Sequence, residues 1–314
     1  MDSLISIIIP TYNRAHFLKE ALDSVMKQTY SNWECIIVDD GSNEENINNI
    51  LKFISYESRI KFFKRPLNSK KGPSTCRNFG LKNAVGKYVQ FFDDDDKMYR
   101  NLLKDKVDLI DDKKYDVVVS PLDFFSIEKK IITNVNKVFS NNIIESYVLG
   151  DISWYVSGPL WLKSFVLEYF DESVQTLDDW DFNLRNIYNN PNIGFLEKSL
   201  LLYNIYGIGD SLGTLAQLGD ESQLNSVFYV YKKHFLLLKK MKILNHKMYF
   251  RFYILLVPVL RECLLNKYKI SSEIFHFLKI NINRDLFLKF IKVFFGYYTY
   301  KFFNKGYSLV KFKV

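Results

Sequence analysis

In the N-terminal part of this 314-residue chain, short apolar runs alternate with helical patterns, and that alternation constrains the fold more than any other feature. Apolar runs over residues 4–9, 34–38, 60–64, 87–92 and 115–120 read as strands. Between them, apolar residues at helical spacing predict helices over 15–28, 44–54, 74–84 and 101–111. Apolar strands separated by helices imply an α/β domain whose mainly parallel sheet is covered on both faces. In open sheets of this kind, ligands bind outside the carboxyl ends of the strands. Three polar clusters fall at such ends, at residues 11–14, 39–42 and 93–96.

The last of these is four consecutive aspartates, Asp93, Asp94, Asp95 and Asp96. Adjacent carboxylates repel one another, so a buried strand ending in four of them needs a cation or hydrogen-bond donors. Oxygen-only ligands suit magnesium or manganese, which commonly bridge protein carboxylates to a substrate's phosphates. The plainer alternative is a solvated acidic turn or an Asp-rich helix start. Elsewhere on the same edge, Tyr12 offers a ring face for a nucleobase, and Asp40 can accept a hydrogen bond from a base N–H such as uracil's. Arg77, with Lys70 and Lys71 upstream, can neutralise phosphate oxygens. Singly, each has an ordinary reading as a packing aromatic, a turn or an ion pair. Those readings leave the joint position on one sheet edge unexplained.

Hydrophobic residues make up 48% of the chain and aromatics 17%, which excludes a disordered polymer. Cys35, Cys76 and Cys263 are too widely spaced for a zinc or disulfide framework, so reduced thiols are expected. The start, Met1-Asp2-Ser3, has no basic region before its apolar run, so no signal peptide is expected. The net charge of +8 conceals a division: from Ser222 onward 18 basic residues accompany 3 acidic ones, against 25 and 32 before it. The basic part is helical in pattern, with Leu286, Phe287, Phe290, Ile291, Phe294 and Phe295 forming a stripe and Lys289 and Lys292 off it. Its longest apolar run, residues 252–260, is too short to span a bilayer. Lysine interleaved with Phe, Tyr and Leu points to peripheral attachment at an anionic membrane surface. A structural cap with lysine stems over apolar surface is the alternative. No nucleic-acid recognition motif accompanies the charge, and no nucleic-acid partner is expected.

The run from Ile5 through Pro10, Thr11, Tyr12, Asn13 and Arg14, then Ile36 to Ser42, then Arg77-Asn78 with Gly86-Lys87-Tyr88, then the four aspartates, resembles glycosyltransferase family 2 on the GT-A fold. That fold is a Rossmann-like α/β sheet flanked by helices, here followed by the basic helical region. The resemblance implies transfer of a sugar from a UDP-linked donor with inversion. It places Pro10, Tyr12, Arg14, Asp40, Arg77, Asp93 and Asp94 at the nucleotide-sugar, with Asp40 on the base. Asp95 becomes the direct ligand of a Mn2+ or Mg2+ ion, and Asp96 is expected to cap the next helix. Phe170-Asp171-Glu172, followed by Leu177 to Phe182 and Arg185, resembles the family's acceptor side. There Asp179 would be the base that deprotonates the acceptor hydroxyl, with Asp181 a weaker candidate. Asp178, Trp180, Trp154, Ser157 and Gly158 would shape the acceptor region. For Asp178 and Asp179 helix capping is the plainer role, and core packing is the plainer role for Trp154 and Trp161. Many members carry a histidine after the last strand, whereas this chain has Tyr206 near that place and Asp210 beyond it. His16, His234, His246 and His276 lie elsewhere and are not assigned to catalysis.

The expected protein is therefore an inverting UDP-sugar-dependent hexosyl- or N-acetylhexosaminyltransferase acting on a lipid-diphosphate-linked saccharide for O-antigen or capsule. It would work in the cytoplasm, peripherally on the inner face of the cell membrane. The expected divisions are 1–100 for the nucleotide-sugar half, 101–220 for the acceptor half and 221–314 for the basic helical region. A sugar nucleotidyltransferase would need a glycine-rich basic phosphate loop, which residues 10–14 do not resemble. A non-catalytic adaptor for membrane or nucleic acid has no need of the whole acidic set.

Overall fold

The computed structural model describes residues 3–205 and 219–310. It divides into two compact units, Met1–Glu172 with Asp178–Gly207, and Ser173–Leu177 with Ile208–Val314.

The first unit begins β1 (Ile5–Thr11), α1 (Ala15–Met26), β2 (Trp33–Asp39), α2 (Glu44–Ile54), β3 (Ile60–Lys64), α3 (Pro73–Asn83) and β4 (Tyr88–Phe91). It continues with β5 (Lys97–Met98), α4 (Leu102–Lys113), β6 (Val117–Val119), β7 (Leu122–Ser126), β8 (Ile131–Val135), α5 (Ile143–Leu149) and β9 (Pro159–Leu162). Helix α6 (Asp178–Ile187), β10 (Ile193–Phe195) and β11 (Leu201–Ile205) complete it. The main sheet has the order β10-β6-β9-β4-β1-β2-β3. All its pairings are parallel except those of β9, which runs antiparallel to both β4 and β6. A second sheet, β5-β11-β7-β8, stands beside it.

Every residue of β1 and β2 is buried, which is what a central strand covered on both faces requires. Ile5, Ile7 and Ile9 join Leu18, Leu22 and Val25 of α1 in one core cluster. Helix α3 covers the other face, and it lies so close that a Cβ on Gly80 would be 2.4 Å from Ile8 Cγ2. Only glycine lets α3 seat there. The register levels the strand ends: Thr11 pairs with Asp39, and Phe92 N–H donates to Ile8 O, so the aspartates leave the sheet on the same edge. The expected bounds of α2 and β3 agree with the structure, and the ends of the other early elements move by at most two residues. Residues on both sides of position 100 share the main sheet, with β9 lying between β4 and β6.

The second unit contains α7 (Glu221–Lys240), α8 (His246–Leu265), α9 (Ser271–Ile280) and α10 (Phe287–Phe303), followed by a 3-10 turn, Tyr307–Val310. Its core is aromatic, with Phe235 of α7 edge-on to Phe252 of α8 and to Phe277 of α9. No helix among the described residues is long and apolar enough to cross a membrane. The stripe expected on α10 is turned: Phe290, Val293 and Tyr297 face inward, while Phe287 and Phe295 are exposed.

Candidate active site

Two loops at the ends of β1 and β2 are knitted together. Asn13 adopts a left-handed φ of 53°. Its N–H donates to Ser42 Oγ (2.8 Å), and its Oδ1 accepts from Asn43 N–H (2.9 Å). Asp39 accepts the N–H groups of Gly41 (3.1 Å) and Ser42 (3.0 Å), forming a tight carboxylate-capped turn. Asp40 is buried, and Arg65 Nε donates to its Oδ1 at 2.5 Å. The same guanidinium also donates to the carbonyls of Pro66 (3.1 Å) and Ser69 (2.5 Å). Pro10 is buried beside this turn, and Tyr12 is exposed, with Lys71 Nζ 3.5 Å from its ring centroid.

The four aspartates take four different environments. Asp93 accepts from Arg77 Nη2 at 2.7 Å. Buried Asp94 accepts from Thr11 Oγ1 at 2.7 Å, and burial pushes its carboxyl up to about 7. Asp95 accepts from Arg14 Nη1 at 2.9 Å, its backbone carbonyl is held by Asn204 Nδ2, and burial and Asp93 raise its carboxyl. Asp96 caps no helix, correcting the expectation: α4 begins at Leu102, and Asp96 is buried with Oδ2 accepting from Ser157 Oγ at 2.9 Å. Burial, Asp93 and Asp95 hold it well above the usual carboxylate range, and its Oδ1 has no partner among the described residues.

Arg77 joins this strand end to the start of α6. Buried on α3, it donates from Nη1 to Asp178 (2.6 Å) while Nη2 holds Asp93. Its Nε has no partner among the described residues, an unsatisfied buried donor. Neighbouring Asn78 pins the chain leading to α6, donating to Phe170 O and Glu172 Oε1 (both 2.9 Å) and accepting from Phe170 N–H (2.9 Å). Asp179 is half-buried and accepts from Trp180 N–H at 2.7 Å. Burial and Asp178 push its carboxyl up to about 7. Asp181, the weaker candidate for the base, is buried in an ion pair with Arg185 (2.8 Å).

Ser157 and Gly158, expected in the acceptor region, sit beneath the aspartates. Ser157 Oγ donates to Asp96 and accepts from Asp93 N–H (3.4 Å), and Gln90 Nε2 donates to Ser157 O (2.8 Å). Under that turn Lys106 of α4 is wholly buried, donating to Gly158 O (2.6 Å) and Gln90 Oε1 (3.1 Å). Burial pulls its ammonium down to about 7. Trp154 and Trp161 are core residues: Trp154 is 1% exposed, with its indole N–H on Val138 O (2.8 Å), so it has no face for a sugar. Trp180 is half-buried, 6.2 Å from the Tyr147 ring. Arg65 and Lys106 escaped the sequence reading. Arg65 follows a strand that ends beside Asp39, a place where a cation is a detectable signal, whereas nothing local marks Lys106. Tyr206 and Asp210 lie outside the described residues. A separate cleft of about 920 Å³, lined by Glu20, Asp23, Lys27 and Tyr99 among others, holds none of these groups.

No group of three or more His, Cys, Asp or Glu among the described residues is arranged to cage a metal ion. The crowded carboxylates of Asp93, Asp94 and Asp95 nevertheless fit a hard cation completed by phosphate oxygens and water. Arg14, bridging Asp94 (3.5 Å) and Asp95, meets part of that demand for positive charge.

This sheet order with flanking helices and an acidic strand end is a GT-A fold. Residues 6–168 match Glycosyl transferase family 2, and the chain belongs to that family. An uncharacterized glycosyltransferase of Rickettsia conorii is 30% identical over 212 residues, covering 66% of this chain and 33% of that protein. The Escherichia coli UDP-Glc:alpha-D-GlcNAc-diphosphoundecaprenol beta-1,3-glucosyltransferase WfgD is 38% identical over 109 residues, 35% of this chain and 42% of its own length. The chain thus spans about a third of the length of the first curated relatives it matches. Among solved structures, S. aureus TarS 1-349 superposes with a TM-score of 0.55 at 18% identity, over 90% of this chain and 76% of that one. The mannosyltransferase PcManGT from Pyrobaculum calidifontis, in complex with GDP-Man and Mn2+, gives 0.57 at 14% identity, over 99% and 85%.

Proposed function

We propose that this chain transfers a hexose or N-acetylhexosamine from a UDP-sugar to a saccharide carried on a lipid diphosphate, with inversion at the anomeric carbon. The setting would be O-antigen or capsular polysaccharide assembly at the cytoplasmic face of the cell membrane. The observation that carries the reading is Arg77, which holds Asp93 at a strand end and Asp178 at a helix start with one guanidinium. The carboxylates we assign to the donor and to the acceptor thus share one counter-ion. Asp40 accepts the uracil N–H, Tyr12 stacks on the base once Lys71 yields its face, and Arg77 orients Asp93 toward the donor. Asp179 takes the proton of the acceptor hydroxyl as that oxygen bonds to the anomeric carbon and the bond to the diphosphate breaks. Its raised carboxyl suits a base that works near neutral pH. A Mn2+ or Mg2+ ion held by Asp95, with Asp93 and Asp94 close by, would supply positive charge to the departing UDP. Support for the donor and acceptor comes from relatives: TarS was solved with UDP-GlcNAc, and WfgD's name gives a UDP-sugar and a diphosphoundecaprenol acceptor. The test is a panel of UDP-sugars with manganese and a lipid-diphosphate sugar acceptor. One donor should yield UDP and an extended lipid. Pyrophosphate release, or inertness toward every UDP-sugar, would overturn the reading.

A further inference from the structure

Helix α10 is apolar on two sides. Inward, Phe290, Val293 and Tyr297 are buried, and Tyr297 stacks on Phe275 with ring centroids 3.9 Å apart. The 3-10 turn after it closes against Gly296, where a Cβ would lie 2.7 Å from Val310 Cγ2. A helix that is apolar all round is ordinarily buried all round. This one is not. Leu288, Phe295, Phe302 and Phe303 are 75%, 57%, 69% and 71% exposed. At helical pitch these four fall within an arc of about 100°. Lys292 shares that arc, Lys289 lies just beyond one edge and Lys305 follows the helix end, whereas Lys301 is on the inward side against Tyr297. No acidic residue occurs between Leu286 and Val310.

We propose that this face of α10 lies on an anionic lipid bilayer, its four apolar side chains entering the boundary between headgroups and acyl chains while the lysines meet lipid phosphates. The combination of Phe and Leu with lysine, and the absence of carboxylates, is the chemistry of an interfacial helix. A second copy of the chain fits worse: a two-fold contact through this face would set lysines against lysines. The inference rests on the proposed transfer reaction only for its purpose, since a lipid-carried acceptor is reached from such a surface.

The experiment is sedimentation of the full chain with vesicles of phosphatidylcholine alone or mixed with phosphatidylglycerol. Binding is expected to the mixed vesicles and to weaken with salt. The Phe295→Glu/Phe302→Glu double variant should lower partition at least about tenfold, and Lys289→Gln and Lys292→Gln each roughly fivefold. UDP binding, unchanged in all variants, distinguishes these losses from misfolding and keeps the result independent of whether any sugar is transferred. The proposal falls if the wild type ignores both vesicles or if the double variant binds as well as the wild type. It falls equally if the chain forms a salt-resistant dimer that Phe302→Glu dissolves.

Discussion

Two carboxylate clusters share one edge of the main sheet, and they are built on opposite principles. At the end of β2 each acid meets its complement: Asp39 accepts two backbone N–H groups and Asp40 pairs with Arg65 at 2.5 Å. At the end of β4 and the start of α6, six carboxyl groups receive contacts from only two guanidinium groups among the described residues, Arg14 and Arg77. The cost shows in the raised carboxyls of Asp94, Asp95, Asp96 and Asp179. A balanced cluster is complete without a ligand and suits a neutral partner such as a nucleobase. An unbalanced one suits a cation and chemistry that takes up a proton.

That contrast can be broken by substitution. At the unbalanced end, Asp95→Ala should lower manganese-dependent transfer by roughly 10³–10⁵-fold, while the thermal midpoint holds because like-charge repulsion is relieved. Calorimetry beside a radiolabelled-sugar assay reads both, and a normal rate would remove Asp95 from the metal. Asp179→Asn should cost about 10²–10⁴-fold in kcat with UDP binding intact. Because the Asp179 carboxyl is pushed up to about 7, it is protonated below that pH and, as the proposed base, would be inactive there. Wild-type kcat should therefore rise about tenfold per pH unit up to about 7, a limb that the residual rate of the variant lacks. Arg77→Met leaves Asp93 and Asp178 facing each other without their counter-ion, an expected loss of about 3–5 kcal/mol in urea unfolding. The smallest effect belongs to the balanced end. Arg65→Met should weaken UDP binding by about 1–3 kcal/mol through a misplaced Asp40 and narrow its preference over GDP, measured by titration calorimetry. Equal UDP affinity would mean that Arg65 does not hold Asp40 for the base.

The sequence made the balanced and unbalanced ends visible because both lie where apolar strands stop, a local signal that tertiary structure did not override. Strands β1 to β4 and helices α1 to α3 were legible for the same reason. Beyond residue 120 the elements draw on distant partners: β7 pairs with β11 from Leu122↔Leu201 to Ser126↔Ile205, and β9 inserts between β4 and β6. Three- to five-residue strands paired across such separations carry too little period to read locally. Pairings made in three dimensions were equally hidden. Arg77 was visible as a cation but not as a bridge, since Asp178 is far along the chain. Ser157, expected in the acceptor region, also holds Asp96, a contact that nothing in the local sequence marks. On α10 the helical period is legible in the sequence, but which residues turn inward is not, because apolar residues lie on both faces.

Lys106 gives the first unit a reporter that needs no engineering. An amine-directed acylating reagent labels lysines whose ammonium groups reach water, and Lys106 has none of its surface exposed. Its modification can occur only when α4 lifts from the Ser157-Gly158 turn that it supports. The rate at which mass spectrometry finds that one lysine labelled is therefore a clock for opening of the floor under the aspartates. Any ligand that locks the site should slow that clock while leaving the surface lysines as reactive as before.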